Sequence, residues 1–150
     1  MKLTFVNQTT AKINTKRLTK TLVTITQSLK KRRLRNKKKL STCQEIVFVF
    51  LTARQMQKIN MQFRGKDRPT DVLSFESQDA HTLGELIFCL PVLKKQAKEH
   101  KQSLEDELTL MMIHGILHLL GYDHEASKAE DALMFQIQEF CFAQVRHQLS

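Results

Sequence analysis

Leu108-Thr-Leu-Met-Met-Ile-His114-Gly-Ile-Leu-His118-Leu-Leu-Gly121-Tyr-Asp-His124 is the stretch from which the rest of the chain can be read. From Leu108 to Leu120 it is apolar on almost every side, and a helix of that kind is buried centrally. Ser103-Leu-Glu-Asp106 is a capping-box-like start for it, with Glu105, Asp106 and Glu107 favourable in the first turn. His114 and His118 are four residues apart, slightly more than one turn, so they stack on one face. Gly121 can take a left-handed conformation, end the helix and turn the chain back, so that His124 meets the first two. Three imidazoles around one point, with nothing obvious closing a fourth position, describe an open zinc site that keeps a water.

An isolated histidine pair on a helix is more often packing or surface. The full spacing and the glycine shift that balance toward ligation, because H-x-x-x-H-x-x-G-x-x-H matches the ligand frame of the metzincin motif. One position departs from the proteases: Gly115 stands where they carry the glutamate that acts as general base. Peptide hydrolysis by that mechanism therefore loses its base. A hydroxide made at neutral pH by such a metal could attack a phosphodiester, an amide or an ester, and the metal alone does not choose.

The remaining segments read as one α/β or α+β domain with one small sheet. Met1–Asn7, Glu45–Leu51, Val72–Phe75 and Leu83–Leu90 are the strand candidates. Helices are expected over roughly residues 14–35, from a Thr52 cap to about Gln62, from Pro91 to about His100, from Ser103 to Leu120, and onward from Ser127. On the last, Leu133, Ile137, Phe140, Cys141 and Gln144 mark one face. Cys43, Cys89 and Cys141 are odd in number and far apart, which suits reduced, buried thiols of a cytoplasmic protein. No apolar run approaches the ~20 residues needed to cross a bilayer, and the first residues lack a signal-peptide apolar region.

Charge is distributed unevenly. Residues 1–60 carry 15 Lys/Arg against the single acid Glu45, whereas residues 61–150 carry 9 against 14 acids. Lys30 to Lys39 holds eight basic residues in ten, a candidate phosphate-binding surface for RNA. A second cluster, Arg64-Gly-Lys-Asp-Arg-Pro-Thr-Asp71, packs three cations around a glycine and a proline. Guanidinium groups pair bidentately with phosphate, though a solvated charged turn fits that composition equally well. Asp71 and Ser74 are candidates for hydrogen bonds behind the ligands, and Asp123 for orienting a ligand or capping its turn.

Together, the His114–His124 motif, Arg64-Gly-Lys-Asp-Arg-Pro-Thr-Asp-Val-Leu-Ser-Phe75 and Leu83-Gly84-Glu85 resemble the YbeY family of bacterial rRNA-maturation endoribonucleases. The resemblance is strong from roughly Met56 to Met134; the N-terminal third is similar only in general plan. It implies a four-stranded sheet packed by helices and one zinc held by His114, His118 and His124. The family's loop arginine falls on Arg64, which is the implied catalytic residue. The implied activity is single-strand-specific, metal-dependent cleavage in 16S rRNA 3′-end maturation and ribosome quality control. The implied partners are precursor rRNA and the small ribosomal subunit, with a ribosomal protein or GTPase as a further possibility. Two residues depart from the pattern: Glu76, where many members have proline, and Glu85, where they usually have aspartate. Two rival readings stand beside this one. The basic run suits a ribosome-binding assembly factor with weak or no catalysis, and the histidine spacing suits a zinc hydrolase of peptides or small molecules.

Overall fold

The computed structural model describes residues 1–150. Strand β1 (Lys2–Asn7) leads through α1 (Thr15–Lys30) and a short α2 (Lys39–Thr42) to β2 (Glu45–Leu51). Helix α3 (Ala53–Arg64), the β3/β4 pair (Val72–Glu76, Thr82–Cys89), α4 (Leu90–Glu99), α5 (Leu104–Leu119) and α6 (Lys128–Leu149) follow. The four strands form one mixed sheet in the order β1-β2-β4-β3. β1, β2 and β4 run parallel, and β3 returns antiparallel along β4. The fold class and all four strands match the sequence expectation. Six helices form rather than about five, because α2 adds one short turn before β2.

Strand β4 is buried on both faces, as Leu86, Ile87, Phe88 and Cys89 require. One face joins Ile46, Phe48, Phe50 and Phe88 to α1, α5 and α6 in the main core. On the other, Leu51, Leu73, Ile87 and Cys89 pack beneath Met56 of α3. Helix α5 is covered around most of its circumference, as its apolar run demands. No helix is long and apolar enough to cross a membrane. All three cysteines are free and buried.

Two expectations are corrected. Helix α1 ends at Lys30, not near residue 35. The following segment turns aside, with Asn36 at φ +49°, to bond the far end of α5: Asn36 Nδ2 donates to the Leu120 carbonyl at 2.8 Å, and Arg35 N donates to the Tyr122 hydroxyl at 3.1 Å. Tertiary bonds there override the helical pattern. On α6 the buried stripe is Met134, Ile137, Gln138, Cys141, Phe142 and Val145, while Leu133 and Phe140 are 39% and 48% exposed. Packing against α1 and α5 together rotates the inward face by about one residue, and Arg32 covers the Phe140 ring from 4.3 Å.

Candidate metal centre and cleft

Ser103 caps α5 by accepting from Asp106 N at 3.0 Å, and the helix carries His114 and His118 inward on consecutive turns. Gly121, at φ +99°, then reverses the chain, which a side chain would resist. His124 returns to the first two. The three rings each offer one nitrogen, and these atoms lie within 4.8 Å of one another. His118 Nε2 is 3.1 Å from His114 Nε2 and 3.2 Å from His124 Nδ1.

The donor set fits a cation. His114 Nδ1 lies 2.8 Å from Gln138 Oε1, so it donates there and Nε2 keeps its lone pair. One ring nitrogen carries at most one proton, so His118 Nε2 cannot bond well to both neighbours. A positive ion among the three lone pairs serves all of them. A tetrahedral ion with bonds of about 2.0–2.1 Å separates its ligand atoms by about 3.3 Å, close to the two spacings from His118. Burial lowers the His114 pKa, against the pull of the Gln138 bond. Burial, followed by the charges of His114 and His124, brings His118 down to about 4. Both effects keep these rings neutral and able to coordinate at neutral pH.

The absence of a glutamate at position 115 has a packing cause. A Cβ on Gly115 would meet Leu86 Cδ2 at 2.7 Å, because α5 lies directly on β4. Any side chain there, acidic or otherwise, requires the fully buried Leu86 to move.

The histidines line a cleft of about 610 Å³ that also holds Arg64, Lys66, Asp71, Ser74, Glu76 and Glu125. Thr52 and Gln55 form a reciprocal capping box at the start of α3, and Gly65, left-handed at φ +68°, ends the helix immediately after Arg64. The loop beyond is tied to the same helix: Asn60 Nδ2 donates to the Arg68 carbonyl at 2.8 Å and Gln57 Nε2 to Asp67 Oδ1 at 3.0 Å. Arg64 Nη2 reaches across to Glu125 Oε1 at 3.0 Å, and the same oxygen lies 3.9 Å from His124 Nε2. The fold thus brings Arg64 to the histidines, although 50 residues of chain separate it from His114.

The other candidates divide. Asp71 Oδ1 accepts from Val72 N at 2.7 Å, and Ser74 Oγ donates to the Gly115 carbonyl at 3.4 Å, so neither bonds an imidazole. Asp123 caps its own turn, accepting from Glu125 N at 2.9 Å. Glu76 lines the cleft, whereas Glu85 faces the opposite side of the sheet beside Gln55 and Lys58. Gln138 and Glu125 escaped the sequence reading. A buried glutamine on an otherwise apolar stripe was the available signal for the first; nothing local marks the second.

The chain matches the family model described as Endoribonuclease YbeY over residues 4–146. It is similar to the endoribonuclease YbeY of Bdellovibrio bacteriovorus, 56% identical over 98 residues, which are 65% of either chain. It is also similar to that of Persephonella marina, 45% identical over 101 residues, covering 63% of this chain and 66% of the relative. The matched stretches therefore span just under two thirds of these relatives' lengths. The solution structure of a Thermotoga maritima protein superposes with a TM-score of 0.66 at 28% identity, covering 99% of this chain and 91% of that one. With the loop arginine and three histidines gathered in one cleft, and the match running nearly end to end, this chain belongs to the YbeY family.

Proposed function

We propose that this chain is a zinc-dependent endoribonuclease that cuts single-stranded RNA in the cytoplasm, acting at the 3′ end of 16S rRNA and in ribosome quality control. One observation carries the reading: three imidazole donors converge in a cleft that also holds Arg64. Family membership supports it, as do relatives named as endoribonucleases. His114, His118 and His124 would hold zinc, whose preference for neutral nitrogen donors in a tetrahedral frame suits this set. Bound zinc supplies Lewis-acid polarisation of a phosphoryl oxygen and lowers the pKa of water toward about 7.

The chain's own residues bind and orient the substrate. Arg64 pairs bidentately with the phosphate to be cut and offsets charge developing on it. In the free protein Glu125 occupies that guanidinium. The pair is partly exposed, and such pairs contribute at most about 1 kcal/mol, so a phosphate displaces the carboxylate at little cost. Gln138 holds the His114 ring in the tautomer that leaves Nε2 free. The surplus of cations in residues 1–60 draws the RNA backbone toward the cleft.

Purified protein should cleave single-stranded RNA, stop with a chelator, and lose both metal and cleavage in His118→Ala. Equal cleavage by wild type and His118→Ala would mean that a contaminating nuclease is at work, and the reading falls. The basic run favours a second reading, that of a ribosome-binding assembly factor. In that case Arg64→Ala leaves rRNA processing intact, while charge reversal within Lys30–Lys39 abolishes association with the small subunit.

A further inference from the structure

We propose that Phe63 is a stacking platform for one unpaired nucleobase, carried at the end of α3 next to Arg64, whose side chain enters the histidine cleft. The proposal rests on the endoribonuclease reading and adds to it the group that selects single strands. Phe63 is 59% exposed in the last turn of α3; Phe135 and Phe140 are comparably exposed, but on α6, and neither is next to a residue of the cleft. One ring contacts it. The Phe75 ring lies against it with centroids 5.1 Å apart and planes at 70°. An edge-to-face contact uses at most one face of either ring, and 59% exposure leaves ring surface of Phe63 open to solvent.

Cations follow the ring in the chain. Arg64, the next residue, lines the cleft, as does Lys66. Lys66 and Arg68 have no carboxylate within ion-pairing distance, and Asp67 between them is bonded to Gln57. An open aromatic face beside free cations suits a base joined to a phosphate better than it suits an apolar protein surface. Single-strand binders use this pairing, with stacking on the ring and ion pairs to the backbone. A base inside a duplex has both faces covered by its neighbours, so Phe63 stacks on an unpaired base in preference to an interior paired one. The platform thereby makes the cleft prefer single strands.

The chain contains no tryptophan, which makes the test direct. F63W introduces the only indole. With chelator present to prevent cleavage, a single-stranded oligoribonucleotide should quench its emission, and a blunt duplex of the same sequence should not. In anisotropy titrations F63L should bind the single strand about tenfold more weakly than wild type, with duplex binding unchanged and circular dichroism preserved. Binding of the single strand to F63W without quenching overturns the proposal, as does F63L binding it as tightly as wild type. The two readings fail differently. Wild type that neither binds nor cuts RNA removes both, whereas wild type that cuts RNA with F63L unimpaired removes the platform alone.

Discussion

An imidazole coordinates well through one nitrogen when the other is held. Gln138 does this for His114 from a different helix, 24 residues away. Gln138→Leu keeps similar bulk but removes the acceptor, freeing the ring to rotate and to change tautomer. Metal affinity should fall about 10- to 100-fold, the usual loss when the group behind a ligand is removed. Competition with a chromophoric chelator would measure it, and an unchanged affinity would show that the ring is held by packing alone. Gly115 is a second case in which one residue decides the chemistry. Gly115→Glu restores the metzincin pattern on paper, but the side chain meets Leu86 in the core. Overpacking typically costs about 1–3 kcal/mol and an unpaired buried carboxylate adds more, so the variant should lose at least about 3 kcal/mol and gain no peptidase activity. Urea unfolding and a labelled-peptide assay would check both outcomes. The convergence of His114, His118 and His124 was legible because their spacing is local, whereas Arg64 stood out only through the family resemblance, its composition suiting a solvated turn equally well. Gln138 and Glu125 were not legible, because their partners lie 24 and 61 residues away.

Among the elements, α5 was the most legible, since the predominantly apolar stretch Leu108–Leu120 leaves it only a central position. The end of α1 was not legible, because Asn36 and Arg35 leave the helix for partners 84 and 87 residues distant. The junction of α4 and α5 hides a further contact. Glu107 is fully buried, and both its oxygens lie within 3.1 Å of His100 Nδ1, with Gln102 Nε2 beside them. The Glu107 hydrogen bond and charge raise the His100 pKa; the small loss of solvation opposes them and Glu99 adds slightly. A raised histidine pKa means that the folded state holds the proton more tightly. The contribution is therefore full below the unfolded value of about 6.5 and is lost as pH rises through the folded value. The ring is half exposed, so solvent keeps the effect modest. His100→Gln should melt below wild type at pH 6, and the gap should narrow toward pH 8. A gap that widens with pH would show that Glu107 does not hold the proton on His100. Because His114 and His118 titrate in the opposite sense, wild type and variant are compared at each pH with metal absent.

Over the whole molecule, charge and chemistry meet at one end of α5. The basic segment after α1 is fastened there by Arg35, which bonds Glu130, lies 4.8 Å from the Tyr122 ring centre and donates through its backbone to the Tyr122 hydroxyl. Asn36 Nδ2 lies against Gly121, which lines the cleft. The eight cations of Lys30–Lys39 therefore do not sit on a remote tail. Their number was plain in the sequence, but their position was not, since it depends on hydrogen bonds to residues more than eighty positions away. Lys31, Arg33, Lys38 and Lys39 are exposed and have no acidic partner, whereas Arg35 is committed to Glu130. If these four carry RNA phosphates, each contact releases counterions, and log K falls with log salt by about 0.7 per phosphate on a single strand. Replacing all four by glutamine should weaken binding uniformly across sequences and flatten the salt dependence by up to about 3. Cleavage per bound RNA should be unaffected, because none of the four lines the cleft. Arg64→Ala should do the reverse, cutting turnover severely while changing the slope by no more than about 1. Anisotropy titrations from low to physiological salt, paired with single-turnover cleavage, separate the two. A quadruple variant with an unchanged slope would mean that the RNA follows another path to the histidines.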